Sequence, residues 1–586
     1  MTALGLLMIP ICFIGLTVSA EAQDKNWVDS TLGSLSLEEK VGQLFVAELV
    51  ALYTNEDHPA YQFALEMIRR YHVGAFILAG GNVLDIPIIT NKLQGLSKVP
   101  LLINADFEGG MSYTHPWRLS RGWSELLPRY VAGGGTQFPS QMAIGATGNP
   151  NYAYEFGNIT AREARAIGVQ WTNSPVADVN NNAQNPIINT RSYGEDPKAV
   201  ASMVDAYVRG AQAGGVIATL KHFPGHGDTQ EDTHMGLPSL PFDSARLDSV
   251  ELVPFKAGVA AGAGAVMTAH IALPNIDPSG HPSTLSKPVI TGILREKLGF
   301  QGMVVTDGMR MQGITDKFSA AAAAINALQA GADLILGSAD IESAFRAVVQ
   351  AVRSGSIPQE RLDRSVRRVL SAKASVGLHK VRTVKVDSIF TQVGRAEYQR
   401  VAEGISDASV VLLRNQGDLL PLKRDVRLRI VAVTEDPGWV VGTDLLDEAT
   451  PSVKSATLVR VSNETGSERF HEITASQEDC DVILVGVYLT IAAWKGERRF
   501  SKPLEEFLSS LSDLPRPVIL VAFGDPYIIG RLPETTAILT PLNGTILAEA
   551  SIARAMAGKI EIRGRLPVTI PGRFPRGTGI MMKPQN

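Results

Sequence analysis

Eight short apolar runs, each followed by a stretch of helical periodicity, set the tightest limit on what this chain can fold into. They lie at 41–48, 73–79, 100–106, 168–176, 216–222, 265–271, 303–308 and 332–337. Strands that alternate with helices pair in parallel, because each helix carries the chain back to the starting edge of the sheet. Eight such units over about three hundred and fifty residues favour a closed (β/α)8 TIM-like barrel over an open sheet. Two helices stand out between the runs. One spans 197–213, from a proline to Gly214-Gly215, and the other is the alanine-rich 316–330.

The periodicity weakens over 381–400 and then resumes with new apolar runs at 409–413, 429–434, 456–462, 481–487, 517–523 and 536–540. Helical patterns at 503–512 and 545–557 accompany them, which predicts a smaller α/β/α sandwich. The expected division is therefore a leader at 1–22, a barrel at 23–380, a linker at 381–400 and a sandwich at 401–586. At 586 residues the chain exceeds what a single core usually serves. No nucleotide-type phosphate loop is visible in the second unit, and its Arg498 and Arg499 read equally as solvated surface or as sugar contacts.

Composition excludes several classes. Hydrophobic residues at 45% and charged residues at 19% describe a globular chain, and a net charge of −4 offers no basic footprint for nucleic acid. Residues 3–20 carry no charge and run into Ala20-Glu21-Ala22, an A-x-A site. This reads as an export signal removed before Gln23, with no stable membrane insertion afterwards; a retained membrane anchor is the alternative. Removal of the leader takes Cys12 with it and leaves Cys480, so no intrachain disulfide is expected.

Chemistry gathers where the barrel runs end. Asp106 with Glu108, Asp178 with Asn180, Lys221 with His222, His270 and Asp307 all follow apolar runs directly. On a barrel these positions share the C-terminal face, where active sites are built. The richest segment is Lys221–Pro238, KHFPGHGDTQEDTHMGLP, with three His, two Asp and one Lys. Its three Gly and two Pro make it a loop. Asp232 and His234 are two apart, and a carboxylate that accepts a ring N–H orients an imidazole for general acid or base work. A structural histidine is the plainer reading. A metal site formed from His222, His226, Asp228, Asp232 and His234 is another, although the spacing fits no standard zinc pattern. Asp307, in VVTDGM, is a candidate nucleophile or cation stabiliser, or else a turn-capping aspartate. Asp106 could accept from hydroxyls and Arg191 could fork onto ligand oxygens, or both could hold barrel loops together.

In order along the chain, DFEGG, SPVADVNNNAQNPIINTRSYGEDP, KHFPGHGDTQEDTH, MTAHIALPNIDP and VVTDGM resemble the family 3 glycoside hydrolases, specifically their β-N-acetylhexosaminidase branch. The likeness continues more weakly through SVVLLRNQGDLLPL, AFGDPY and GRLPVTIPG. It implies a retaining exo-β-N-acetylglucosaminidase acting on peptidoglycan- or chitin-derived fragments. Asp307 would be the nucleophile, His234 oriented by Asp232 the acid/base, and Asp106, Arg191, Lys221 and His222 the sugar-binding residues. A carbohydrate substrate is implied, with no metal and no cofactor. The rival readings are a β-glucosidase or mixed-specificity β-glycosidase, a phosphorylase using the same site, and an inactive carbohydrate-binding protein. Departures from the family pattern are Thr233 in place of Ser, Met111 in place of Arg, and a long Trp-bearing segment at 112–135 expected to rim the cleft.

Overall fold

A computed structural model describes residues 20–111, 118–119, 131–132, 134–435, 437–475, 478–489 and 500–585. The leader up to residue 19, Arg498, Arg499 and most of the 112–135 segment lie outside the described residues. Among the described residues no helix is long and apolar enough to cross a membrane.

The barrel strands are β1 (Phe45–Ala51), β2 (Ala75–Asn82), β3 (Leu102–Ala105), β4 (Trp171–Thr172), β5 (Ile217–Phe223), β6 (Ala265–Thr268), β7 (Met303–Val305) and β8 (Ile335–Leu336). All eight pair in parallel in the order β8-β1-β2-β3-β4-β5-β6-β7. A parallel bridge between Val305 and Leu334 closes the ring. The TIM-like expectation therefore holds. Inside, Val46, Ala75, Leu102, Trp171, Ile217, Met267, Met303 and Leu336 pack together, and Val369 and Leu378 plug the base. Trp171 satisfies its buried indole N–H on Thr219 Oγ1 at 2.6 Å, which lets a large ring fill the barrel without an orphaned donor.

Local chemistry sets the boundaries. The helix Pro197–Ala213 starts where Asp196 accepts the backbone N–H groups of Lys198 and Ala199 at 3.0 and 2.9 Å, with Pro197 in its first turn. The first strand begins later than its apolar run suggests, because a Ser36/Glu39 capping box starts a helix at Leu37–Gly42. The alanine-rich helix also starts late, at Ala320, since Ser319 caps it.

The second sheet consists of β9 (Val411–Asn415), β10 (Arg427–Thr434), β11 (Ser455–Val461), β12 (Val482–Leu489), β13 (Val518–Gly524) and β14 (Ala537–Thr540). Their order is β9-β14-β13-β12-β10-β11, with β9 antiparallel and the other pairs parallel. Ile546–Met556 and Thr443–Ala449 cover one face. The opposite face is covered by Ser467–Ala475 and Lys502–Ser509, and by Met142, Ala143 and Ala146 from the barrel unit. The stretch expected as a linker contains the start of helix Ala396–Ser409, whose Tyr398, Ala402 and Ile405 pack into the barrel's outer core. Cys480 is buried.

The two units are bonded directly. Glu195 of the barrel accepts from Thr569 N and Thr569 Oγ1, both at 2.7 Å, and Ser140 Oγ donates to Leu542 O at 2.6 Å. Two further short strand pairings lie among the described residues. Arg118–Leu119 pairs with Trp439–Val440 of the second unit, and Val131–Ala132 pairs with Gly81–Asn82 of β2.

Candidate active site

The polar strand ends converge on the C-terminal rim. Lys221, at the end of β5, is buried and reaches Glu108 Oε1 at 2.6 Å and Asp106 Oδ1 at 3.0 Å. Arg191 lies in a short turn, Asn189–Arg191, and clamps Glu108 with two donors at 2.7 and 2.8 Å. Its Nη2 also stands 3.3 Å from His222 Nε2. The other nitrogen of His222, Nδ1, meets Asp178 Oδ2 at 2.7 Å. The structure thus joins four expected site residues, Asp106, Lys221, Arg191 and His222, into one chain. Glu108 bridges Lys221 and Arg191, and Asp178 anchors the His222 end; both belong to the polar strand ends read from the sequence, without a role there.

Burial alone would raise the pKa of Glu108, but the charges of Arg191 and Lys221 outweigh it and hold the carboxyl below its usual range. Burial would likewise lower that of Lys221; Asp106 and Glu108 outweigh it, so the ammonium is held more firmly than usual. Asp178 follows the same logic, with burial opposed mainly by His222. Glu108 and Lys221 therefore each have an opposite charge beside them, as a low-dielectric site requires, and Asp178 is satisfied by the His222 ring and the His222 and His226 N–H groups. Asp106 keeps an open side, its side chain 38% exposed, and can still accept from a ligand hydroxyl.

Asp307 follows β7 and accepts its neighbour Gly308 N–H at 2.7 Å. Burial pushes its carboxyl up. The imidazoles of His222, His270 and His234 and the Gly308 N–H pull it down further, to about 2. At neutral pH it is a carboxylate. His270 is buried, with its Nδ1 2.8 Å from Thr284 Oγ1 and its Nε2 3.0 Å from Gly308 O. A carbonyl only accepts, so Nε2 carries the proton and His270 braces the turn that presents Asp307.

His234 sits on the loop after β5. Asp232 Oδ1 accepts both its backbone N–H, at 2.9 Å, and its ring Nδ1–H, at 2.7 Å. That fixes the tautomer with the proton on Nδ1, so Nε2 is the basic nitrogen of the neutral ring. The Asp232 side chain is 3% exposed and that of His234 is 23% exposed, so the carboxylate is interior and the ring is partly open to solvent.

The rest of the loop is scaffold. His226 N donates to Asp178 Oδ1 at 2.7 Å, while the His226 ring meets Thr229 Oγ1 at 2.9 Å and Thr233 Oγ1 at 3.2 Å. Burial and the neighbouring His222 hold His226 down at about 4, so it is neutral. Gly227 is required by contact, because a Cβ there would lie 1.7 Å from Val179 O. These partners also bear on the metal alternative. His222 faces Asp178, His226 faces threonines, and Asp228 pairs with Arg246 at 3.1 Å. Among the described residues no three such groups converge as metal ligands. Met111, where the family pattern has Arg, is buried in the barrel core.

The glycosyl hydrolase family 3 N-terminal domain pattern matches residues 36–372, and the family 3 C-terminal domain pattern matches 410–577. The chain belongs to glycoside hydrolase family 3. It is 28% identical over 582 residues to a β-N-acetylglucosaminidase/β-glucosidase of Cellulomonas fimi, covering 95% of this chain and 98% of that one. It is 33% identical over 394 residues to β-hexosaminidase A of Pseudoalteromonas piscicida, covering 62% of this chain and 63% of that one. Among solved structures, a family 3 β-N-acetylglucosaminidase from a Paenibacillus species superposes with a TM-score of 0.78 at 32% identity, covering 92% of this chain and 99% of that one. A β-glucoside phosphorylase superposes with a TM-score of 0.80 at 25% identity, covering 94% and 97%.

Proposed function

We propose that this family 3 glycosidase is a retaining exo-β-N-acetylglucosaminidase that releases terminal β-linked N-acetylglucosamine from peptidoglycan- or chitin-derived glycans. One observation carries the reading: an ionised Asp307 after β7 and an Asp232-oriented imidazole after β5 stand on the same rim of the barrel, a nucleophile and a proton carrier. The relatives' names support the substrate class.

In the first step an Asp307 oxygen bonds to the anomeric carbon as the glycosidic C–O bond breaks. The leaving oxygen takes the proton from His234 Nε2, and the product is a glycosyl ester on Asp307. In the second step His234 takes a proton from water, whose oxygen attacks the anomeric carbon and frees the carboxylate. Asp232 holds Nδ1–H throughout and stabilises the imidazolium while it exists. Asp106, Lys221, Arg191 and His222 bind the sugar's hydroxyl and N-acetyl groups, and Glu108 and Asp178 fix their aim. The uncharged leader supports export, and secreted protein beginning at Gln23 would establish it.

Two close variants have support of their own. The Cellulomonas fimi relative carries a dual name, which favours mixed specificity. The β-glucoside phosphorylase likeness, together with an imidazole that repels phosphate less than a second carboxylate would, favours phosphate as acceptor. Hydrolysis of matched p-nitrophenyl β-N-acetylglucosaminide and β-glucoside, with and without phosphate, tests all three. Strong preference for the N-acetyl substrate is expected. Equal glucoside turnover would replace the specificity, a sugar 1-phosphate product would replace the acceptor, and no turnover of either would indicate a binding protein.

A further inference from the structure

One strand end of the second sheet meets the barrel rim. Strand β13 runs into Asp525, which caps the short turn Pro526–Arg531 by accepting Tyr527 N–H at 3.0 Å. The same Asp525 oxygen accepts from Asn189 Nδ2 at 2.9 Å, across the domain boundary. Two residues on, the Tyr527 hydroxyl accepts from Asn180 Nδ2 at 2.7 Å. The loop closes on the barrel side, where Asn180 Oδ1 accepts the Asn189 backbone N–H at 2.9 Å. Asp525, Asn189, Asn180 and Tyr527 therefore form one cycle.

What this cycle holds is the turn that carries Arg191. Asn189 opens that turn with φ +40°, a left-handed conformation that asparagine tolerates better than most residues but that still needs support. On the other side, Asn185 accepts Ile187 and Ile188 N–H at 3.0 and 2.7 Å and donates to His226 O and Gly227 O. The Arg191 segment is thus pinned to the histidine loop by Asn185 and to the second domain by Asp525 and Tyr527. The same residues wall a cleft of about 1000 Å³ that opens beside Asp232.

We infer that Asp525 and Tyr527 are positioning residues for the sugar pocket, acting through the Asn189–Arg191 turn, so that the second domain sets substrate affinity as well as packing against the barrel. This rests on the reading that Arg191 contacts the sugar. An interaction made equally in the ground and transition states, when weakened, raises KM and spares kcat.

The test is steady-state kinetics of the full chain on p-nitrophenyl β-N-acetylglucosaminide, with thermal unfolding in parallel, for Tyr527→Phe, Asp525→Ala, Asp525→Asn and Arg191→Ala. Tyr527→Phe and Asp525→Ala are expected to raise KM about threefold and about tenfold with kcat within about twofold, while Asp525→Asn, which keeps an acceptor oxygen, recovers most of the loss. Arg191→Ala should raise KM further than either. If Arg191→Ala raises KM but both second-domain variants leave it unchanged, or lose activity only in proportion to lost folded protein, the inference is overturned. If Arg191→Ala itself leaves KM unchanged, the sugar-contact reading falls and takes the inference with it.

Discussion

The barrel holds a buried carboxylate cluster at each end, and the two are built to different plans. At the base, Asp333 is 0% exposed and faces Arg295, Arg368 at 3.1 Å and Arg361 at 3.7 Å. The cations there are tied off: Arg295 also donates to Phe300 O and Gly302 O, and Arg361 to Ala332 O and Ser365 Oγ. Burial, aided by crowding from Arg368 and Arg361, holds Arg295 down at about 10 despite Asp333. At the rim, Glu108 gathers Arg191 and Lys221, while the side chains of Asp106 and His234 are 38% and 23% exposed. Similar charges make a buried strut at one end and a partly exposed polar surface at the other. Barrel enzymes in general separate stability and chemistry in this way.

The comparison breaks most visibly at Asp307. Asp307→Ala is expected to lower turnover by about ten-thousand-fold or more. Appreciable residual turnover would remove Asp307 as nucleophile. His234→Ala should slow aryl glycosides with poor leaving groups by about a hundredfold or more, and activated ones far less. Equal slowing of both would deny it the proton-transfer role.

At the base the expected damage changes kind. Asp333→Ala leaves three guanidiniums without their carboxylate and should cost about 3–5 kcal/mol in stability, with kcat per folded molecule unchanged. A fall in kcat beyond the loss of folded protein would mean the two ends are coupled. Glu108→Gln sharpens the contrast through pH. The folded pKa of Glu108 lies below its ordinary 4.5, so its contribution to stability is present above that pH and is lost as pH falls toward the folded value. Glu108→Gln should therefore flatten the acid side of the stability profile as well as raise KM; an unaltered profile would contradict the proposed balance of charges.

The smallest effect is expected at Lys373, buried at the base with its ammonium 2.6 Å from Gln43 Oε1. Burial, then Arg382, holds its pKa well below the ordinary 10.5. A lowered lysine pKa costs stability at neutral pH, and the cost disappears as pH rises through the ordinary value. Lys373→Met should stabilise slightly at pH 7 and lose that advantage near pH 10, as urea unfolding at the two pH values would report.

Much of this was legible in the sequence, for reasons particular residues show. Helix Pro197–Ala213 was readable to its ends because Asp196-Pro197 and Gly214-Gly215 punctuate it. The run 168–176 reads as a nine-residue strand, yet the continuous ladder is limited to Trp171–Thr172, with Val176 adding an isolated parallel bridge to Lys221 before the chain delivers Asp178. The rim residues were recognisable because each follows an apolar run. Their pairings were not, since Glu108 and Asp178 look like any loop carboxylate until Arg191, Lys221 and His222 arrive from far along the chain. The contact of Asn189 with Asp525 spans 336 positions, and no local pattern encodes it.

The most direct test of the account is intact-protein and peptide mass spectrometry after brief reaction with an activated, fluorine-substituted β-N-acetylglucosaminide that slows release of the glycosyl-enzyme. The account predicts one added sugar, on the peptide carrying Asp307, and none in Asp307→Ala. An adduct on another residue, or turnover of the probe through an inverted product with no adduct, would contradict it.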